Sequence, residues 1–220
     1  MEMLMMNDTS DIKRVPEPAI RRLPLYRRML LKLKANNRPV VSCTHIAEEL
    51  HLLPIQVRKD IAMTGIVGKP RVGYEVDELI NAIEEFLGWK NDNDAFLVGA
   101  GNLGSALLGY KGFRERGLNI VAAFDNDPAK VGKAIHGVEV LPLDHLDNLA
   151  QRMHVQIGVL TVDQIAAQDV ANYMVLSGIR AIWNFTQVRL DVPRETILEN
   201  VDLSASLAVL SSKLTAAEIQ

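Results

Sequence analysis

The chain has little cysteine, since Cys43 is the single residue of this type among 220. One thiol cannot close a disulfide within the chain and cannot form a multi-thiolate metal site. Histidine offers no metal site either, because no two histidines stand four residues apart, the spacing that places two rings on one helical face. The histidines are His45, His51, His136, His145 and His154. We expect no bound metal, and we interpret Cys43 as a packed side chain, with a redox-sensitive thiol as the alternative.

Long apolar runs are also missing. No stretch of about 18 uncharged apolar residues occurs, so we expect no membrane-spanning helix and no membrane partner. Residues 1 to 10 lack the basic and then apolar regions of a secretory signal, which favours a cytoplasmic protein. With 220 residues, 48% of them hydrophobic, the chain suits about two globular domains, each with its own core.

Acidic residues are scarce in the front part of the chain, and basic residues are outnumbered in the rear part. Residues 13 to 75 carry 13 lysines and arginines against 5 acidic residues, a balance of +8. Residues 76 to 220 carry 11 against 19, a balance of −8, so the net charge of −3 hides two opposed halves. Because a DNA duplex is a dense line of phosphates, the front half suits nucleic acid and the rear half would be repelled by it.

Three helices are predicted in the front half. Apolar residues recur at helical spacing from Ala19 to Ala35. A short helix follows from Thr44 to Leu50, with Thr44 or Ser42 as its N-cap. Proline is favoured in the first turn of a helix, so we expect the third helix to run from Pro54 to Ala62.

The third helix has the pattern of a recognition helix. Three apolar residues are expected to face inward: Ile55, Val57 and Ile61. Three polar residues cluster at its leading end: Gln56, Arg58 and Lys59. A helix of this kind meets base edges and phosphates in the major groove. The alternative is a solvated charged face that binds nothing.

A short hairpin is expected next, because Gly65, Gly68 and Gly73 punctuate the chain around a basic tip, Lys69-Pro70-Arg71. A winged variant of the helix-turn-helix adds a second DNA contact in this way. We therefore predict a winged helix DNA-binding domain over residues 13–88. Its candidate DNA contacts are Thr44, Gln56, Arg58, Lys59, Lys69 and Arg71.

A glycine loop opens the rear half after a polar, turn-rich segment, residues 89 to 94. Ala95 to Val98 predicts a buried strand, and Gly99-Ala100-Gly101-Asn102-Leu103-Gly104 follows at once. In dinucleotide-binding folds the first glycine permits a tight turn, the second admits a pyrophosphate, and the third lets helix and strand pack closely. We expect a helix from Asn102 to about Glu115, with its N-terminus toward the phosphates.

A carboxylate stands where a ribose contact is expected. The second strand, Asn119 to Phe124, ends at Asp125, 21 residues after Gly104. At this spacing a carboxylate accepts hydrogen bonds from the ribose hydroxyls, and it would repel a 2′-phosphate. We therefore predict NAD or NADH as cofactor rather than their phosphorylated forms. The alternative is that Asp125 merely begins a turn.

The rest of the rear half alternates strand and helix, which is typical of a Rossmann-type parallel sheet covered on both faces. We expect strands at 138–141, 155–160, 180–185 and 188–190, and helices at 144–152 and 162–176. Thr161 and Val162 follow a strand at its carboxyl end, where such sheets bind ligands. The predicted NAD(H)-binding domain spans residues 94–202. Its candidate cofactor contacts are Gly99, Gly101, Asn102, Leu103, Gly104, Ser105, Asp125, Thr161 and Val162.

A final helix, residues 203–214, is rich in small and apolar residues and comes after the sheet is complete, so it needs a partner surface. We expect two copies to exchange it in a homodimer, and a two-fold dimer also suits a palindromic DNA site. The predicted fold is therefore α/β: an N-terminal winged helix-turn-helix domain, a Rossmann-type parallel sheet domain and a C-terminal domain-swapped helix.

Six stretches occur in order along residues 15 to 214: Val15-Pro16-Glu17-x-Ala19-Ile20-x-Arg22-Leu23-x-x-Tyr26, Gln56-Val57-Arg58-Lys59-Asp60, Val72-Gly73-Tyr74, the glycine loop, Phe124-Asp125-x-Asp127-Pro128-x-Lys130-Val131-Gly132 and Asn200-Val201-Asp202-Leu203. Together they resemble the pattern of the Rex family, the redox-sensing transcriptional repressors of bacteria. Two stretches at the DNA-facing end depart from it. Residues 62 to 65 stand where Ser-Tyr-Phe-Gly is common, and the tip at residues 69 to 71 replaces an Arg-Gly type.

The resemblance implies a homodimer that binds palindromic operator DNA when free or NAD⁺-bound and leaves it when NADH binds. It places Tyr110 near the nicotinamide, and it pairs Arg28 of one subunit with Asp202 of the other. Each residue also has a plain interpretation, namely packing for Tyr110, a solvated arginine for Arg28 and a helix N-cap for Asp202.

Two other functions stay open at this point. An NAD-dependent oxidoreductase needs a substrate domain and a proton-transfer group, and neither is evident. Neither Tyr110 nor Tyr173 is followed by a lysine four residues later. A coenzyme A-binding module has a similar nucleotide fold, but Asp125 would be an awkward neighbour for its ribose 3′-phosphate.

Overall fold

The computed structural model describes residues 16–218, so residues 13 to 15, with which the expected front domain begins, lie outside the described part. The chain divides into two compact units. The front unit ends at Lys90 and the rear unit begins at Asn91.

The front unit consists of helices and one small sheet. Its helices are α1 (Glu17–Ala35), α2 (Cys43–Leu50), α3 (Pro54–Ala62) and α4 (Val76–Phe86). Two short strands, β1 (Val40–Val41) and β2 (Tyr74–Glu75), pair antiparallel. The predicted helices in this half are confirmed, and α3 has the predicted bounds.

One apolar cluster joins all four helices of the front unit. Its fully buried members include Leu23, Tyr26, Leu30, Ile46, Val57, Ile61, Leu79 and Ile83. In α1 they recur at intervals of three and four residues, which places them on one helical face. The prediction for Ile55 was wrong, because this side chain is 54% exposed. It lies two residues before Val57, on a different face of a helix that turns about 100° per residue.

The rear unit is built on a seven-stranded sheet. Its strands are β3 (Asn93–Val98), β4 (Leu118–Asp125), β5 (Ala134–Ile135), β6 (Val138–Pro142), β7 (Ile157–Leu160), β8 (Ala181–Asn184) and β9 (Ile197–Asn200). Their order is β5-β6-β4-β3-β7-β8-β9, and every neighbouring pair is parallel except β5 with β6. From β6 to β9 this is the strand order of a Rossmann fold, and the order reverses between β3 and β7.

Helices cover both faces of this sheet. The rear helices are α5 (Asn102–Leu108), α6 (Leu146–Met153), α7 (Ala167–Leu176) and α8 (Leu203–Glu218). Successive residues of β3 belong to opposite clusters: Phe96 packs in the cluster of α6 and α7, whereas Leu97 packs in the cluster that includes the end of α5. The predicted α/β fold class is confirmed, while exchange of α8 between two copies stays a prediction.

Three rear segments differ from the sequence prediction. The helix after the glycine loop ends at Leu108 rather than near Glu115, because Gly109 and Gly112 follow and favour turns over helix. The helix expected from Val162 starts only at Ala167, since the Asp163 carboxylate accepts hydrogen bonds from two backbone amides and holds a turn there.

The strand expected at residues 188–190 does not form, and β9 takes that role instead. The cause is Asn184, whose side-chain amide donates to the Val188 carbonyl oxygen at 2.9 Å and whose side-chain oxygen accepts from the Thr186 amide at 3.0 Å. These local bonds hold a turn where the apolar pattern predicts a strand.

Candidate functional site

The glycine loop lies at the carboxyl ends of β3 and β7. Gly99 has φ +101°, and a Cβ atom there would lie 2.7 Å from the Thr161 carbonyl carbon. A Cβ at Gly104 would overlap the Gly99 carbonyl oxygen. The Thr161 hydroxyl also donates to that oxygen at 2.7 Å. The fold itself therefore requires glycine at both positions.

Gly101 differs from these two glycines. Its φ is −75°, which any residue adopts, and no atom of the described residues lies within 4 Å of a Cβ built on it. Neither backbone conformation nor packing explains why the side chain is missing. Gly101 also borders an open cleft at this end of the sheet.

Asp125 ends β4 beside this loop, with its side chain 12% exposed. Its Oδ2 accepts hydrogen bonds from the Ala100 amide at 2.8 Å and the Lys130 ammonium at 3.0 Å, and its Oδ1 accepts from the Asp127 amide at 2.8 Å. Burial raises the pKa of this carboxyl. The Asp127 amide, Lys130 and the Ala100 amide together lower it by more than burial raises it, so the pKa of Asp125 lies below its ordinary value. The group is a fixed carboxylate, and one lone pair of Oδ1 is still free to accept.

These groups line a cleft of about 320 Å³. Five of the predicted cofactor contacts border it: Gly99, Gly101, Asp125, Thr161 and Val162. Four others form the first turn of α5: Asn102, Leu103, Gly104 and Ser105. Our sequence reasoning missed Lys130, which also borders the cleft and which the five-residue spacing from Asp125 could have indicated.

Tyr110 lies two residues beyond α5 and borders a second cavity, of about 280 Å³, together with Lys111, Phe113 and His136. Its ring meets that of Phe113 edge-on at 4.9 Å between centroids, and Phe113 in turn meets Trp183 at 5.3 Å. The structure thus places Tyr110 in an aromatic cluster, and its predicted role near the nicotinamide stays a prediction.

A second candidate site is the outer face of α2 and α3. Ser42, rather than Thr44, caps α2 by accepting a hydrogen bond from the His45 amide at 3.1 Å, which leaves the Thr44 side chain exposed. Arg58 and Lys59 are exposed on α3, and neither forms a salt bridge with any described residue. Two cations without carboxylate partners are suited to bind phosphate.

The hairpin after α3 is closed by hydrogen bonds between Lys69 and Gly73, with the Lys69 amide 2.7 Å from the Gly73 carbonyl oxygen. The Lys69 ammonium pairs with Glu75, so its charge is matched within the hairpin. Arg71 at the tip has φ +64°, a left-handed conformation that favours glycine. Arg71 is exposed, and it forms no salt bridge with any residue that the structure describes.

A buried ion pair anchors α3 to α1, and our sequence reasoning missed it. Asp60 is 3% exposed and accepts hydrogen bonds from Arg22 Nε at 2.7 Å, Arg22 Nη2 at 2.9 Å and Tyr26 Oη at 2.6 Å. The hydrogen bond to Asp60 raises the pKa of Arg22, while burial and then Asp60 raise that of Tyr26. No local sequence signal indicates this pairing, because Arg22 and Asp60 stand 38 positions apart. We call these three residues the α1–α3 clamp.

The two residues of the predicted intersubunit pair lie in different units. Arg28 is exposed on α1. Asp202 caps α8 by accepting hydrogen bonds from the amides of Ser204 at 2.9 Å and Ala205 at 3.0 Å. The hydrogen bond from the Ser204 hydroxyl, followed by those from the amides, lowers the pKa of Asp202. The cap role of Asp202 is therefore observed, and its pairing with Arg28 stays a prediction.

Among residues 16–218, no three histidine, cysteine, aspartate or glutamate side chains are grouped so that they could hold a metal ion. None of the helices there is long and apolar enough to span a membrane.

The two units define a class of protein. The first is a winged helix domain with an exposed cationic helix, and the second is a Rossmann domain whose glycine loop and Asp125 carboxylate border one cleft. Family models match both parts, one described as a putative DNA-binding protein N-terminus over residues 14–62 and one as a CoA binding domain over residues 90–188.

Full-length relatives are more specific. A redox-sensing transcriptional repressor Rex of Treponema denticola is 50% identical over 193 residues, which cover 88% of this chain and 92% of the relative. Another from Bacteroides fragilis is 43% identical over 96% of both chains. This chain belongs to the Rex family of redox-sensing transcriptional repressors.

Solved structures agree. The Rex-family repressor RSP in complex with β-NAD⁺ and operator DNA is 36% identical, with a TM-score of 0.87 over 93% of this chain and 94% of that one. RSP in complex with β-NADH is 35% identical, with a TM-score of 0.85 over 94% and 97%. The expected family is confirmed. Because the relatives are repressors, we set aside the oxidoreductase alternative.

Proposed function

We propose that this protein represses transcription according to the ratio of NADH to NAD⁺. It binds palindromic operator DNA when free or NAD⁺-bound, and NADH releases it. One observation carries the proposal: a repressor that matches nearly the whole chain has been crystallised with NAD⁺ on operator DNA and also with NADH. As a repressor of bacterial type, it acts in the cytoplasm, where chromosomal DNA and the NAD(H) pool are both accessible.

The cofactor assignment rests on the cleft. At Gly101 the missing side chain leaves room for a pyrophosphate against the backbone of the loop, and the amides of the first turn of α5 begin there. Asp125 has a free lone pair for a ribose hydroxyl, and its fixed negative charge would repel a 2′-phosphate. Both features favour NAD(H) over NADP(H).

The DNA assignment rests on the outer face of α2 and α3. Arg58 and Lys59 supply unmatched positive charge, and Gln56 and Thr44 supply hydrogen-bonding groups near the leading ends of the two helices. We assign the major-groove contacts to these residues. Arg71 provides the hairpin contact, with Lys69 in a supporting role because Glu75 matches its charge.

Regulation requires two copies. Two recognition helices enter successive major grooves on one face of a duplex only if they stand about 34 Å apart. NADH lacks the positive charge of the oxidised ring, so it fits a less polar pocket between two nucleotide domains and draws the dimer into a closed form. Moving this equilibrium from 1:99 to 99:1 requires NADH to bind one form about 10⁴-fold more tightly than the other.

The proposal also includes the pairing of Arg28 with Asp202 and the position of Tyr110 near the nicotinamide.

The test is operator release. The protein is bound to a palindromic duplex selected from a random-sequence pool, and the NADH fraction is raised stepwise at constant total NAD(H). We expect release to follow NADH, with little release by NAD⁺ alone. Equal potency of the two forms would refute redox sensing, and failure to select any duplex would refute DNA recognition.

A second ligand is considered because the rear half matches a CoA binding domain model. A thermal shift assay with NADH and coenzyme A, alone and in competition, separates the two. We expect stabilisation by NADH alone. Stabilisation by coenzyme A that NADH cannot displace would assign the cleft to the other nucleotide.

A further inference from the structure

The core of the front unit does not include Ile55, a large apolar side chain of α3. Val57, Asp60 and Ile61 face inward and are at most 3% exposed, whereas Ile55 is 54% exposed. The burial of an aliphatic side chain stabilises a fold, so an isoleucine outside the core gives up that stabilisation. Its position on the helix indicates what it does instead.

Ile55 lies at the centre of the cationic face. A helix turns once in about 3.6 residues, so residues three and four positions apart share a face. Arg58 and Lys59 follow Ile55 by three and four positions, and both are exposed. Ala62 continues this face and is exposed as well. The outer face of α3 is therefore apolar in the middle and cationic at its flanks.

This pattern matches the floor of a major groove. Phosphates border the groove and attract the flanking cations, while the base edges lie between them. Among the groups that base edges present there, the C5-methyl group of thymine is the apolar one. A branched aliphatic side chain at the centre of the face is complementary to that group.

We propose that Ile55 is a specificity-determining residue that reads a thymine methyl group in each operator half-site. The inference rests on the proposed DNA-binding function and adds the base that this residue selects. It also explains why Ile55 does not follow the inward pattern expected for it.

The test couples a change in the protein to a change in the DNA. Each thymine of the selected duplex is replaced in turn, in both half-sites, by deoxyuridine, which lacks only the methyl group. For the wild-type protein we expect one position to weaken binding by about fourfold per half-site, the factor that burial of one methyl-sized group contributes. Ile55→Ala should weaken binding to the thymine duplex and show no further loss with deoxyuridine at that position.

Two variants serve as controls. Ile55→Val keeps a branched side chain and should retain the discrimination between thymine and deoxyuridine. Leu176→Ala truncates an apolar side chain that is 83% exposed in the rear unit, and it should change neither affinity nor discrimination. Unchanged thermal stability and NADH binding of Ile55→Ala would show that the variant is folded.

The outcomes separate the two proposals. If NADH releases the wild-type protein from its duplex but the losses from Ile55→Ala and deoxyuridine simply add at every position, the role of Ile55 is wrong and the repressor function stands. If the wild-type protein selects no duplex, the proposed function fails and this inference fails with it.

Discussion

The three glycines of the loop after β3 serve different purposes. Gly99 and Gly104 are required by the protein, since a side chain at either would collide with backbone atoms. Gly101 has ordinary dihedral angles and open space, so its lack of a side chain serves a ligand. Substitution separates these roles.

We expect Gly101→Ala to leave thermal stability nearly unchanged and to weaken NADH binding by at least about tenfold, because a methyl group would occupy the approach of the pyrophosphate. Calorimetric titration and thermal unfolding measure the two quantities. Gly99→Ala is the matched control, and it should instead destabilise the rear unit strongly. NADH affinity of wild-type strength in Gly101→Ala would remove the loop from the cofactor assignment.

The hairpin tip offers a second substitution. Arg71 occupies a left-handed conformation that costs an L-residue about 1–2 kcal/mol. We expect Arg71→Gly to relieve this strain and to weaken operator binding. The slope of log affinity against log salt concentration should fall by about 1, the value for one lost phosphate contact. Arg71→Lys keeps the charge and should keep the salt dependence. An unchanged salt slope in Arg71→Gly would show that the tip does not contact DNA.

The helices of the front unit are held together by more than apolar packing. The α1–α3 clamp joins a buried carboxylate on α3 to a guanidinium and a phenol one turn apart on α1. No buried polar side-chain atom of residues 16–218 lacks a hydrogen-bond partner, and both Asp60 carboxylate oxygens accept within the clamp. We expect the clamp to fix the rotation of α3 about its own axis and so to decide which side chains face outward.

We expect Asp60→Asn to destabilise the front unit by about 2 kcal/mol, because the partly exposed Arg22 guanidinium loses its charged hydrogen-bond partner. At temperatures where the front unit of the variant is still folded, operator affinity should nevertheless be reduced. NADH affinity should stay unchanged. Hydrogen exchange and DNA titration measure these effects. Asp77→Asn is the control, since its pair with Lys34 is exposed and worth little. If Asp60→Asn behaves like Asp77→Asn, the clamp does not position α3.

The dimer that we propose rests on α8. Four large apolar side chains of this helix are between 56% and 66% exposed: Leu207, Val209, Leu210 and Leu214. We expect a second copy to bury them. Because the front half of the chain is basic and the rear half is acidic, we expect the front halves to contact the phosphates.

We expect the double change Leu207→Asp and Leu210→Asp to convert a dimer into a monomer, because four carboxylates would have to be buried at the shared surface. Sedimentation velocity measures the change, and operator affinity should fall with it. Leu176→Asp, at an exposed apolar position on α7, is the matched control. A double variant that still sediments as a dimer would show that α8 is not the interface.

Sequence patterns predicted most of the fold and the glycine loop beside Asp125, because periodicity, glycine spacing and the acidic end of β4 are local signals. They failed where a side chain redirects the backbone, as Asn184 does at the missing strand and Asp163 does before α7. They also missed contacts between segments distant in sequence. The clamp joins residues 38 positions apart, and no local pattern encodes that pairing.

The clamp also constrains how this repressor can acquire new targets. Because Arg22, Tyr26 and Asp60 are expected to set the orientation of α3, a substitution of any of them should displace all the outward side chains of α3 together. The outward residues Ile55, Gln56 and Lys59 share none of these bonds and can change one at a time. Related repressors with different operators should therefore differ at these outward positions of α3. They should keep Arg22, Tyr26 and Asp60 unchanged.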